Sequence, residues 1–473
     1  MRNVLTTASI LGMASLGLVA GCPDRTISTV QPQQGRVEYK DIPVNVNRNV
    51  DILFVIDDSP SMLDKQTNLK NNFKDFISVL QTIQGGLPDV HIGVVSSDVG
   101  TFATDGNPGG AIGQIGMGGC SGTGKNGNLQ TYGASINGGD LFISDIKGTD
   151  NMRLTNYTGN LEDVFSQIAS AGAGGCGFEQ HLTAMRKALD NNSTNAGFLR
   201  NDAYLAVIFI ADEDDCSMSK ASLLSNDPSL GALQSFRCNQ FGHICDVNGE
   251  TTTAMKATGP KDQCHPNESS AYLEKVENYV EFLKSLKSDP SKVIVAGIMG
   301  VNEPYQVELR PPPGGGTPIP AVAHSCSYMG ATNLEVADPP VRLQHFLDQF
   351  PNRSTATTIC QQNLSDGLQL IAQLLKTVIG DPCISGNLAD VDPNTDGPQY
   401  DCSVSDISNY GKDNAVETVL PPCNGTIDNI PCWRIITDPE CMSDTNFALK
   451  VERGGETPAP ETHTISYCVT AAE

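Results

Sequence analysis

The chain is expected to fold as an α/β protein: a doubly wound, mostly parallel sheet with long Cys-rich loop insertions, followed by a small, disulfide-stapled, β-rich C-terminal module. Three observations predict this. Apolar runs rich in Val and Ile, such as "VDILFVID" and "AYLAVIFIAD", alternate with amphipathic stretches, as buried parallel strands alternate with their covering helices. Both of these runs break off into acidic and hydroxyl side chains, as strands do at the carboxyl edge of an open sheet. Cysteine gathers in the long connections and beyond Asp381.

Residues 1–21 read as an export signal, with Arg2 ahead of "VLTTASILGMASLGLVA", an apolar stretch too short to cross a bilayer. Val19-Ala20-Gly21-Cys22 resembles the lipobox of bacterial lipoproteins, which implies that Cys22 is acylated and becomes the mature N-terminus. No later run reaches the roughly 18 apolar residues of a membrane helix, so attachment is expected through lipid alone. Pro23 points to the outer membrane or cell surface, and a periplasmic face stays open. Residues 22–49 are polar and lack a sustained period, as a flexible tether does.

From residue 50 to 380 strands and helices alternate. "VDILFVID" is a strand, and after Met62 the residues Leu69, Phe73, Phe76, Ile77 and Leu80 share one helical face. "DVHIGVVSS" is the next strand, "LEDVFSQIASAG" and "EQHLTAMRKAL" are helices, and "AYLAVIFIAD" is a strand buried on both faces. The helix "AYLEKVENYVEFLKSLK", the strand "KVIVAGIMG" and the helix "LSDGLQLIAQLLKTVIG" close the series. Three stretches interrupt it: 100–139, rich in Gly and Asn; 216–264, rich in Cys; and 302–360, which holds "RPPPGGGTPIP". They are longer than ordinary connections, and the first two follow strands, which places them where open sheets bind ligands. Residues 381–473 carry short segments such as "PCWRIIT" and "HTISYCVTA" among six cysteines, the pattern of a small module that leans on its bridges.

Of the 473 residues 54 are acidic and 30 basic, a formal net charge of −24 that repels phosphate backbones and argues against nucleic acid as a partner. With Cys22 acylated, 14 of the 15 cysteines remain, an even number suited to pairing in an oxidising compartment. Zinc is disfavoured, since there are no paired CxxC knuckles and no HExxH, and the seven histidines are scattered.

The loop after the first apolar strand holds Asp57, Ser59 and Ser61, whose oxygens can converge on one cation. Such hard donors suit Mg²⁺, Mn²⁺ or Ca²⁺. "DILFVIDDSPSM" resembles the first motif, D-x-S-x-S, of the von Willebrand factor type A domain, and the alternation over 50–380 is similar to that family's. The resemblance implies a metal-ion-dependent adhesion site with a second Asp after the fourth strand, here Asp212 in "AVIFIADEDDCS". The family places a Thr ligand in a Gly-rich loop; the matching loop, "GAGGCGFEQHL", has Cys176 there, a poor ligand for a hard cation. Glu179 is the candidate substitute, or else an ordinary first-turn acid.

The resemblance also brings the loops of Cys176 and Cys216 together at the metal, which implies a disulfide between them; the same logic pairs Cys326 with Cys360 and Cys238 with Cys245. Asp98 and the run Asp212 to Asp215 are either a second cation site or solvated turn acids. Asp392, Asn394 and Asp396, ahead of Gly397, copy the front half of a calcium loop, although Ser403 stands where the closing Glu belongs.

No G-x-S-x-G elbow, phosphate-cradling loop or Cys and His pairing is present, so a non-enzyme is expected. The reading is a lipid-anchored envelope protein that uses its ion for adhesion or recognition, an acidic side chain of a protein partner completing the coordination. The alternatives are a structural part of an envelope, secretion or motility assembly with a purely structural metal, and a metal-dependent hydrolase.

Overall fold

The computed structural model describes residues 34–471 except 44–46, 151, 313–314, 332, 393–394, 396, 413, 426–429, 440, 442–444, 455–457 and 460–461. The export signal, Cys22, Asn394 and Asp396 lie outside the described residues.

Strand β1 (Gln34–Pro43) is followed by β2 (Asn49–Ile56), α1 (Leu63–Gln81) and β3 (Asp89–Ser96). Beyond the Gly-rich insertion come β4 (Ile143–Lys147), β5 (Arg153–Thr155), α2 (Leu161–Ile168), α3 (His181–Leu189) and β6 (Tyr204–Ile210). The Cys-rich insertion holds α4 (Phe236–Gly242), β7 (His243–Val247), α5 (Thr252–Met255) and β8 (Gly259–Pro266). Next are α6 (Val276–Ser285), β9 (Val293–Met299) and the third insertion, with β10 (Tyr305–Arg310), β11 (Ile319–Val322), β12 (Cys326–Met329) and β13 (Leu334–Ala337). Then follow α7 (Val341–Asp348), β14 (Ser354–Thr358), α8 (Ser365–Ile379), β15 (Cys402–Ser408), β16 (Val416–Leu420), β17 (Cys432–Thr437), β18 (Phe447–Glu452) and β19 (His463–Ala471).

The largest sheet has the order β14-β9-β6-β2-β3-β4-β5. Its first five strands pair parallel, whereas β4 and β5 add an antiparallel edge. On β2, Ile52, Phe54 and Ile56 pack beneath α1, α2 and α8, while Leu53 and Val55 pack against α3, α6 and α7. Burial on both faces explains why Ile52 to Ile56 is continuously apolar rather than alternating. α1 follows a tight turn opened by Pro60 and buries Leu69, Phe73, Phe76, Ile77 and Leu80.

The expectation of a doubly wound α/β fold is corrected. Among the described residues twelve of the nineteen strands lie in four smaller sheets, β1-β19-β15-β16, β11-β10-β8-β7, β12-β13 and β17-β18, and all of these pair antiparallel. The chain is a mixed-sheet, disulfide-rich protein. The physical reason is that the insertions and the C-terminal part pair their strands antiparallel, which requires no crossover helix between paired strands.

Part of the expected tether is corrected too. Residues 34–43 form β1, paired antiparallel with β19. The sequence pattern misleads here because Val37 and Tyr39 face outward, 54% and 42% exposed, whereas Asp41 is buried. Asp41 lies 3.3 Å from an Arg353 nitrogen and 2.6 Å from His463 Nδ1. Gly380, which ends α8 at a φ of 94°, lets β1 approach, since a Cβ there would stand 2.4 Å from Pro43 Cδ.

Cys176 pairs with Cys120, Cys216 with Cys238 and Cys245 with Cys264, so the expected Cys176–Cys216 and Cys238–Cys245 bridges are corrected. The cause is the Gly-rich insertion, which folds back over the loop before α3: Gly177 N–H donates to the Gly118 carbonyl (3.0 Å), bringing Cys120 to Cys176. Cys326 pairs with Cys360, and the C-terminal part holds Cys383–Cys441, Cys402–Cys468 and Cys423–Cys432.

His91 on β3 gives a pH dependence. It is buried, with Nδ1 2.9 Å from the Phe198 carbonyl and 3.7 Å from Asp51 Oδ1; Arg200 and Asp140 also act on it. Burial pushes its imidazole down to about 4, from 6.5. The unfolded chain therefore takes up this proton first as pH falls, and stability is expected to drop from about pH 6.5 to about pH 4. In urea titrations His91→Gln should lose less stability than the wild type between pH 7 and pH 4.5; equal losses would contradict this origin.

Candidate functional site

The ends of β2 and β6 position the site. Asp57 directly follows β2, and its N–H donates to the Ile210 carbonyl of β6 (2.9 Å), so the neighbouring strand fixes its backbone. Asp57 Oδ1 accepts from Ser59 N–H (2.7 Å), an Asx-type turn, and its Oδ2 is buried without a partner. Ser59 and Ser61 then meet hydroxyl to hydroxyl at 3.0 Å. Gln66 of α1 pins the turn from behind, donating to the carbonyls of Asp57 (2.9 Å) and Gly172 (2.8 Å). Gly175 N–H donates to the Asp58 carbonyl (2.8 Å); a Cβ on Gly175 would stand 2.2 Å from Asp58 Oδ1, so glycine alone permits this approach.

Asp212 lies just beyond β6. Its Oδ1 is buried without a partner, its Oδ2 is 2.9 Å from Lys65 Nζ, and its carbonyl accepts from Asp338 N–H (2.8 Å). Glu179, ahead of α3, is buried with Oε1 unpartnered. Asp57, Ser59, Ser61, Asp212 and Glu179 thus gather at the carboxyl end of the sheet, whereas Cys176 is locked in its bridge with no free thiol.

Electrostatically the cluster is frustrated. Burial pushes the Asp57 carboxyl well above the usual range, and neighbouring Asp212 pushes it further. Burial does the same to Glu179, with Glu213 and Asp57 adding to it. Glu213, partly buried, is raised to about 8 by burial and by Asp338 and Asp212. Lone carboxylates so placed are stabilised by any cation brought among them.

Sequence reasoning missed two residues here. Lys65, one helical turn after Ser61 on α1, sends its ammonium into the cluster. His181, buried and 3.9 Å from Asp57 Oδ2, has both ring nitrogens unpartnered, and burial lowers its pKa. Its only signal was its position two residues past Glu179.

The acidic run after β6 divides. Asp214 accepts from His243 Nε2 (2.8 Å) and from Arg342 N–H (2.8 Å). Asp215 pairs with the Arg342 guanidinium (3.1 Å) and accepts from Leu182 N–H (2.9 Å). Both are committed to holding loops together. Asp98 caps its own turn through Gly100 N–H (2.8 Å), and exposed Asp392 accepts from the Thr395 hydroxyl (2.6 Å). Buried Asp58 accepts from Ser96 Oγ (2.6 Å) and pairs with Lys125 of the Gly-rich insertion.

Carboxylates and hydroxyls, with three buried carboxylate oxygens lacking partners, fit a hard divalent cation in kind. Among the described residues no three His, Cys, Asp or Glu side chains are grouped to hold a metal, so the two serine hydroxyls would have to share the work. A cleft of about 340 Å³ lined by Glu213, Arg310, His324 and Asp338 adjoins the cluster. A larger hollow, about 700 Å³ beside Arg186 and Lys187 of α3, contains none of these residues.

No protein family and no curated protein matches the chain. Remote similarity to solved structures exists. The conserved hypothetical protein BatB of Bacteroides thetaiotaomicron is 11% identical over 70% of this chain and 98% of its own, with a TM-score of 0.27. An adhesive tip pilin of Group B Streptococcus agalactiae is 11% identical over 93% of this chain and 81% of its own, with a TM-score of 0.29. The three N-terminal domains of a type V pilus tip protein of Porphyromonas gingivalis are 11% identical over 94% of this chain and 69% of their own, with a TM-score of 0.30. Among the described residues no helix is long and apolar enough to cross a membrane.

Proposed function

We propose that the chain is a cell-envelope protein, anchored by lipid on Cys22, that holds Mg²⁺, Mn²⁺ or Ca²⁺ at Asp57, Ser59, Ser61 and Asp212, with Glu179 beside them, and uses the ion for protein recognition. It binds rather than catalyses. The observation that carries the reading is a pair of buried, unpartnered carboxylate oxygens, Asp57 Oδ2 and Asp212 Oδ1, at the ends of hydrogen-bonded neighbouring strands, with two serine hydroxyls at hand. A hard ion coordinated by few charged ligands keeps affinity for a further carboxylate, which an acidic side chain of the partner would supply. The likeness of "DILFVIDDSPSM" to the adhesion-site motif of von Willebrand factor type A domains agrees with this reading.

Asp57→Ala and Asp212→Ala are each expected to weaken Mn²⁺ binding by at least ~100-fold in calorimetry, with circular dichroism unchanged. Unaltered affinity in both variants would remove the site.

A second reading, in which the cluster only braces its loops, is favoured by Lys65, whose ammonium already neutralises Asp212. Chelator separates the two. Loss of partner capture from envelope extracts with the fold intact supports recognition, and a fold and a partner capture both untouched by chelator support bracing by the lysine.

A further inference from the structure

Lys65 is 1% exposed, deeper than an unpaired ammonium is ordinarily found. Three oxygens surround its Nζ: Asp212 Oδ2 at 2.9 Å, the Ser61 carbonyl at 3.0 Å and Glu335 Oε2 at 3.0 Å. Two of these residues, Ser61 and Asp212, are candidate ligands of the divalent ion, so the lysine delivers a positive charge to the place where the ion would deliver its own. The third comes from elsewhere. Glu335 lies on β13 of the hairpin β12-β13, in the third insertion, which the Cys326–Cys360 bridge staples down.

That hairpin is fastened to both sides of the cluster. Asp338 N–H, just past β13, donates to the Asp212 carbonyl (2.8 Å). On the other side the Tyr328 hydroxyl accepts from Asn68 Nδ2 of α1 (3.2 Å), and Ala331 N–H donates to Asp64 Oδ2 (3.3 Å). The insertion therefore spans from α1 to the end of β6 and places Glu335 over the lysine. A buried ammonium with three oxygen partners is well satisfied, and moving it away from them is unfavourable unless a cation replaces its charge.

We propose that Lys65 is a built-in competitor of the divalent ion: its ammonium balances the carboxylates while the ion is away, and the ion binds by displacing it from Asp212, with Glu335 on hairpin β12-β13 receiving the displaced charge. This rests on the metal reading of the preceding section and specifies how that site is controlled. Affinity for the ion is thereby set low, and anything that draws the hairpin outward shifts the exchange.

The test uses the full disulfide-bonded chain and Mn²⁺ alone as the probe. Lys65→Met and Lys65→Gln are titrated calorimetrically beside the wild type, and all three are melted in chelator and in excess Mn²⁺. Expected is Mn²⁺ binding at least about tenfold tighter in both variants, because a unit positive charge has left the ion's immediate surroundings. Their melting temperatures should fall below wild type in chelator and recover in Mn²⁺. Binding in the variants but none in the wild type also supports the proposal, at the limit where the lysine always wins. Wild-type binding with unchanged or weaker affinity in both variants overturns the competitor while leaving the metal site standing. Absence of binding in all three removes both. Failure of both variants to fold even in excess Mn²⁺ overturns the competitor too, since an ion able to replace the lysine would restore the charge balance.

Discussion

Phe54→Ala is expected to cost about 4 kcal/mol of stability. Phe54 is fully buried at the middle of β2, its ring centroid 6.1 Å from those of Phe73 and Phe76 on α1 and 4.9 Å from that of Phe165 on α2. Two helices close on this one ring from one face of the sheet. Truncation leaves a gap that neither helix can fill without leaving its other contacts, because protein interiors are packed nearly as tightly as crystals. The urea midpoint should fall accordingly, and Phe54→Leu should lose less than half as much. A loss under about 1.5 kcal/mol for the alanine variant would mean that the helices collapse into the gap. Because β2 also delivers Asp57, the proposed ion binding should weaken in this variant at temperatures where the wild type is still folded.

Arg342→Met should cost about as much, roughly 3–5 kcal/mol, for a different reason. Arg342 is completely buried at the start of α7, 3.1 Å from Asp215 Oδ2 and donating to the Glu274 carbonyl (2.8 Å). Asp215 in turn accepts from Leu182 N–H of α3 and from the Ser217 hydroxyl, so one ion pair joins the loop after β6 to two helices. Replacing the arginine strands a buried carboxylate, whereas Arg342→Met combined with Asp215→Leu removes both charges. The double variant is therefore expected to be more stable than Arg342→Met alone in thermal melts. A double variant worse than the single one would show that the backbone and hydroxyl bonds to Asp215, not its charge balance, dominate.

The elements legible in the sequence are those whose surroundings are simple. β2 from Ile52 onward and β6 are apolar because both faces are covered, and α1 displays its buried stripe at helical spacing, so each could be read locally. Asp57, Ser59 and Ser61 followed from the oxygen-bearing loop past β2, and Asp212 from what the resemblance to a known motif implies. β1 was not legible, because Val37 and Tyr39 face solvent and Asp41 is buried with charges more than 300 positions away in sequence. Cysteine partners depend on which insertion folds over which loop, and spacing does not encode that. The antiparallel sheets of the insertions went unread too: their strands are short and partly exposed, and packing rather than propensity establishes them. Lys65 escaped because a search for oxygen donors passes over the cation that answers them.

The pairing of β1 with β19 sets how the molecule bears load. Gln34 stands opposite Ala471, so the two ends of the described chain lie side by side. A pull applied to Gln34 along β1 would strain its rungs with β19 together in shear instead of opening them one after another like a zipper. β1 is thereby held as the edge strand of the C-terminal sheet β1-β19-β15-β16, which makes that sheet the brace against such a pull.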